Sequence, residues 1–184
     1  MMAIYQPQAP KIAQIIVPTP TKEPVAQTIL SFGNPSIATS SSPLRQPADL
    51  NYSLPINIST GRNKVTAVQL EMQYDPLLLT DVQVIPGSFF TNPNVFLNEI
   101  DIKFGRISYA FGIKPIGQGV IGKSTVANLT FSVKAKTAEK TAVIFLPKTS
   151  ITAEGISESV LKEANLGQFT VGINNSTPSA APNQ

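Results

Sequence analysis

Hydrophobic and polar residues alternate with a period of two along most of this chain. Leu50, Tyr52, Leu54, Ile56 and Ile58 are interleaved with Asn51, Ser53, Pro55 and Asn57, and Val68, Leu70, Met72 and Tyr74 with Gln69, Glu71 and Gln73. The pattern recurs in Ile107, Tyr109 and Phe111, in Ala127, Leu129, Phe131 and Val133, and in Phe169, Val171 and Ile173. Successive side chains of a strand point to opposite faces, so each run predicts a strand with one apolar and one wet face. Proline has no N–H for a ladder, and Pro55 therefore places its strand at a sheet edge. Shorter candidates over 28–32, 81–85, 94–98 and 142–146 bring the prediction to nine strands.

Turn chemistry separates these segments at Gly61-Arg62-Asn63, Asp75-Pro76, Pro86-Gly87-Ser88, Phe104-Gly105, the stretch 117–122 and Gly155. Half-wet strands do not fit a parallel α/β sheet, whose buried strands read as continuous apolar runs between helices. The expectation is an all-β protein of two packed antiparallel sheets. One short helix of about two turns is predicted over 156–165, ISESVLKEAN. Residues 1–26 contain five prolines and read as a flexible Pro-rich linker, and 174–184, NNSTPSAAPNQ, as a Ser/Thr/Pro-rich tail, leaving 27–173 for the sandwich.

Composition narrows the function. Of 184 residues only 14% are charged, below the roughly 25% of an average globular protein, and the net charge of +3 is spread without a basic run. Neither a nucleic-acid stripe nor a polybasic membrane patch can be drawn. No apolar stretch approaches the roughly 18 residues of a membrane span, and the start lacks the basic and apolar regions of a signal peptide. The chain has no Cys and no His, which removes thiolate and imidazole metal sites, Ser-His-Asp and Cys-His nucleophiles and imidazole proton shuttles.

Residues 117–124, GQGVIGKS, satisfy the letters of a phosphate-binding loop. Such a loop works because a helix leaves it and presents its N-terminal N–H groups to the phosphates. Here the next residues alternate as a strand, so the stretch reads as a Gly-rich connection with Lys123 in solvent. Among the carboxylates Glu71, Asp75, Asp81, Glu99 and Asp101 nothing marks the pair that a glycosidase needs. Asp75 before Pro76 closes a turn, and Glu99 with Asp101 matches no dense calcium loop. Exposed rings for sugar stacking would have to come from Phe89, Phe90, Phe96 or Phe104, since Trp is absent.

The stretch VTAVQLEMQYDPLLLTDVQVIPGSFF, beginning at Val65, resembles the cohesin domain, in which an alternating strand ends in YDP and leads through a Leu-bearing segment to a PGS-like turn. GRISYAFGI, then GQGVIGKSTVANLTFSVKA, then AVIFLPKTSITAEG and GQFTV follow in the family's order, covering about 27–173. The resemblance implies a nine-stranded jelly-roll β-sandwich, non-catalytic and without a cofactor. It implies a receptor for dockerin-like domains of polysaccharide-degrading systems, in a secreted or surface-anchored protein. Family members carry Asn and Asp at outward positions that are Ala67 and Gln69 here, a departure from conventional dockerin specificity. Alternation and the resemblance together predict a partner-binding face of Gln69, Glu71, Gln73, Arg106 and Ser108, and the resemblance alone adds Ile156 and Glu158. Direct polysaccharide binding by the same sandwich, or a spacer role, are the alternatives.

Overall fold

The computed structural model describes residues 25–37, 51–114, 117–133 and 138–171. All twelve elements among them are strands: β1 (Thr28–Phe32), β2 (Ser36–Ile37), β3 (Asn51–Ser59), β4 (Val65–Gln73), β5 (Leu79–Pro86), β6 (Asn94–Asp101), β7 (Arg106–Gly112), β8 (Lys123–Val133), β9 (Glu139–Phe145), β10 (Ser150–Ala153), β11 (Leu161–Ala164) and β12 (Gly167–Val171). They form two sheets. One runs β11-β1-β3-β8-β5 with β2 also on β3; the other runs β12-β9-β4-β7-β6 with β10 also on β4. Every pairing is antiparallel except that of β1 with β11.

The alternation in the sequence becomes burial. Tyr52, Leu54, Ile56 and Ile58 of β3 and Val68, Leu70, Met72 and Tyr74 along β4 are all buried, while the residues between them are not. Each such side chain contributes about 1.5–3 kcal/mol by leaving water. Stacked rings join the two sheets: Phe131 of β8 lies 5.8 Å from Phe169 of β12, and Phe32 of β1 lies 4.5 Å from Phe145 of β9. Phe89 and Phe90 are buried in a ring cluster with Phe111, whereas Phe96 and Phe104 are exposed.

The structure corrects two expectations. Residues 156–165 form no helix: Ile156 bridges back to Ala153, and Leu161–Ala164 is a strand whose parallel pairing fills the free edge of β1. Pro55 lies within a central strand, between β8 on one side and β1 and β2 on the other. It is tolerated because β1 pairs with Ile56–Ser59 and β2 with Tyr52–Ser53, so the missing N–H falls where the neighbouring strand is interrupted. At that break Gly33 donates its N–H to the Pro55 carbonyl at 2.8 Å. The strand count exceeds nine by the short elements β2, β10 and β11. Leu50, Ile173, residues 1–24 and 174–184 lie outside the described residues.

The Gly-rich stretch is built into the β3–β4 turn. Val120 exchanges backbone hydrogen bonds with Val65, and the Gly122 N–H donates to the Thr60 hydroxyl at 3.0 Å. An exposed Lys123 opens β8, so a strand and not a helix leaves the loop. The same turn holds the incoming chain: the Asn63 amide donates to the Val25 carbonyl at 2.9 Å and accepts from the Gln27 N–H at 3.1 Å. The outer face of this first sheet is uncharged along its middle, in the rows Asn51–Ser132–Thr80, Ser53–Thr130–Gln83 and Pro55–Asn128–Ile85.

Two glycines with positive φ separate conformational from packing constraints. Gly105 (φ 63) lies against the Tyr74 carbonyl and within 2.9 Å of Pro76 Cδ for any added Cβ, whereas Gly155 (φ 72) faces open space. Gly155→Ala should lose about 1–2 kcal/mol, the left-handed backbone cost alone. Gly105→Ala should lose clearly more in the same chemical denaturation series, because the β4 and β6–β7 ends must separate; equal losses would contradict this packing.

Candidate functional site

The outer face of the second sheet is defined by register. Glu71 of β4 stands opposite Ser108 of β7, which stands opposite Glu99 of β6; the next row is Ile144, Gln73, Arg106, Asp101, and the preceding one Ser150, Gln69, Ala110, Leu97. Directly opposed residues of an antiparallel pair share a face. Gln69, Glu71, Gln73, Arg106 and Ser108 therefore lie together, outside a layer of fully buried Leu70, Met72, Ile107 and Tyr109. Ala67 is on the same outward side, opposite Gly112 and Thr152.

Glu71 is the most tightly held polar residue of this face. Ser108 Oγ donates to one carboxylate oxygen at 2.7 Å and Gln69 Nε2 to the other at 2.9 Å. Its backbone is held as firmly: the Glu71 N–H donates to Thr149 Oγ1 at 3.2 Å, and Thr149 Oγ1 donates to the Glu71 carbonyl at 2.9 Å. The Leu146 N–H adds a second donor to that carbonyl at 2.7 Å. These bonds fill the stretch of β4 where neither β9, which pairs Met72 and Gln73, nor β10, which pairs 65–69, supplies a partner. The carboxylate is thus oriented by neutral donors, and its negative charge stays available to an incoming group.

Of the other carboxylates, Glu99 shares this face beyond Ser108, and Asp101 and Asp75 serve turns. Asp101 accepts the N–H groups of Lys103 and Phe104 at 3.0 and 3.1 Å, and Asp75 accepts that of Leu77 at 2.9 Å, closing the β6–β7 and β4–β5 turns. Asp81 belongs to the other sheet, on β5. No group of acidic side chains able to hold a metal ion occurs among the described residues. Ile156 and Glu158 lie between β10 and β11, outside the strand rows; Ile156 packs against the core and Glu158 is exposed. Sequence reasoning missed Thr149, which sits in a loop with no periodic pattern. Its signal is the Leu146-Pro147 stop followed by a hydroxyl residue before the next β-branched pair.

These features meet in a known family. The cohesin-domain family model matches residues 45–171, more than half of the chain. The chain is a cohesin. Solved cohesins share its fold at low identity. CaCohA2 of Clostridium acetobutylicum is 20% identical over 82% of this chain and 93% of its own, with a TM-score of 0.55. A type I cohesin–dockerin complex of Clostridium thermocellum is 19% identical over 68% of this chain and 86% of its own, with a TM-score of 0.55. The third ScaC cohesin of Acetivibrio cellulolyticus, in complex with the ScaB dockerin, is 19% identical over 67% and 90%, with a TM-score of 0.53. A search of the curated proteins finds no match by sequence.

Two outcomes follow from the site of this cohesin. Thr149→Val keeps shape but leaves the Glu71 N–H unpaired, so it should lose about 1–3 kcal/mol in denaturant unfolding, while the exposed-face change Thr152→Val loses under about 0.5 kcal/mol. Burial raises the phenol pKa of Tyr109, and burial followed by the nearby Asp101 charge raises that of Tyr74, above the ordinary 10.0. Folding stability from these phenols is complete below pH 10 and is lost as pH rises through the raised values, because the unfolded chain ionises first. Absorbance at tyrosinate wavelengths should show both phenols titrating together with unfolding; early ionisation of all tyrosines at their ordinary value would contradict the burial.

Proposed function

We propose that this cohesin is a non-catalytic docking module that binds a dockerin-like domain through the outer face of the β12-β9-β4-β7-β6 sheet, as part of a secreted or surface-anchored protein. The observation that carries the reading is the Glu71 carboxylate held by Ser108 and Gln69, in the row Glu71–Ser108–Glu99 beside Gln73–Arg106–Asp101. A face with such a charge held in place suits another folded domain, since a group already positioned loses little freedom on binding. Charges of both signs on the face also select among partners by complementarity. Membership of the cohesin family and the cohesin–dockerin complexes among the structural relatives support the class of partner. Ala67 and Gln69 give the module its own specificity, with Glu71 as the central anion.

Binding of recombinant dockerin modules from the same organism, measured by calorimetry, tests the reading. Glu71→Lys and Arg106→Glu should each weaken binding by about 1–3 kcal/mol, the range expected of central interface residues, with little change in melting temperature. Failure of the wild-type chain to bind any of them rejects the docking role. Unchanged affinity in both variants places the contact elsewhere on the module.

A further inference from the structure

β4 and β9 separate before either strand is complete. They pair only at Met72–Phe145 and Gln73–Ile144; the Asp75-Pro76 turn then carries β4 away, while 139–143 of β9 continue with β12 alone. The resulting break in the sheet is an open groove of about 990 Å³. Its apolar lining is Pro76, Ala142, Ile144, Phe169 and the Phe104 ring. Phe104 is 57% exposed, although Lys103 Nζ lies over one side of the ring at 5.2 Å from its centroid. The remaining lining is mostly uncharged and can both donate and accept: the amides of Gln73 and Gln168 and the hydroxyl of Thr170. A single cation, Lys140, stands against a single carboxylate, Asp75, which already accepts from Leu77.

An apolar surface with an accessible ring, flanked by neutral groups that donate and accept and balanced in charge, matches the two sides of a pyranose: C–H faces that lie on rings, and hydroxyls that bond amides and hydroxyls. A charged polymer would require an excess of one sign, which the groove lacks.

We propose that the groove between the β4–β5 turn and the β9–β12 pair is a binding site for a neutral polysaccharide chain, adjoining the docking face at Gln73. Phe104 is its stacking platform, and Gln168 and Thr170 are its hydrogen-bonding wall.

Affinity gel electrophoresis of the full chain tests this, with barley β-glucan, glucomannan and arabinoxylan cast separately in native gels, and sedimentation with amorphous cellulose as a fourth probe. The wild-type chain should be retained by at least one of the four. Phe104→Ala should weaken that retention about tenfold or more, as loss of a ring platform does, and Gln168→Ala should weaken it less. Phe104 is a surface residue, and an unchanged melting curve confirms that the variant is folded. No retention by any of the four polymers overturns the proposal, as does equal retention of wild type and Phe104→Ala. If Phe104→Ala instead weakens dockerin binding and leaves polymer retention unchanged, the groove belongs to the docking partner and the proposal is also overturned.

Discussion

The ladder between β4 and β7, seven consecutive pairs from Ala67–Gly112 to Gln73–Arg106, is the constraint on which the rest of this molecule turns. Its register places Leu70, Met72, Ile107 and Tyr109 in the core and Gln69, Glu71, Arg106 and Ser108 outside in a single choice. A slip of one residue would put the Glu71 carboxylate in the core and expose Leu70 and Met72, so the wrong register is disfavoured on both faces. Core formation and construction of the proposed docking face are therefore the same event. The β6 row adds Glu99 and Asp101 to the face because it pairs with the already fixed β7.

That coupling explains which parts were legible in the sequence. Strict alternation across β3, β4 and β7 translates directly into inward and outward side chains, and the polar patch could be named from it. The short elements could not. β2 and β10 have two and four residues, too few to show a period, and exist because longer strands offer them an edge. Residues 156–165 carry good helix formers such as Leu161, Lys162, Glu163 and Ala164, yet the open edge of β1 outweighs that weak local preference. Pro55 misled for a related reason: edge status was inferred for a whole strand, whereas only one backbone site needs a missing neighbour.

The site shows the same division. The positions of Gln69, Glu71, Gln73, Arg106 and Ser108 follow from local pattern, but the grip of Thr149 on Glu71 joins residues far apart in sequence and has no local signature. Nor can composition tell Phe89 and Phe90, which cap the core, from Phe96 and Phe104, which face water. Phe89, Phe90 and Phe104 lie in connections and Phe96 at the bulge of β6, where alternation does not say which way a ring points. The groove beside Phe104 arises from the departure of β4 from β9, an event of topology that no single segment encodes.

The parallel pairing of β1 with β11 has a consequence for how the module is made. Thr28 lies beside Leu161, so the first strand laid down finds its outer neighbour only when nearly the last has emerged. A chain synthesised or exported from its N-terminus holds β1 against β3 alone until then, and loops of that span close slowly. Until Leu161–Ala164 has emerged, the outer edge of β1 stays unpaired, and that four-residue strand then closes it.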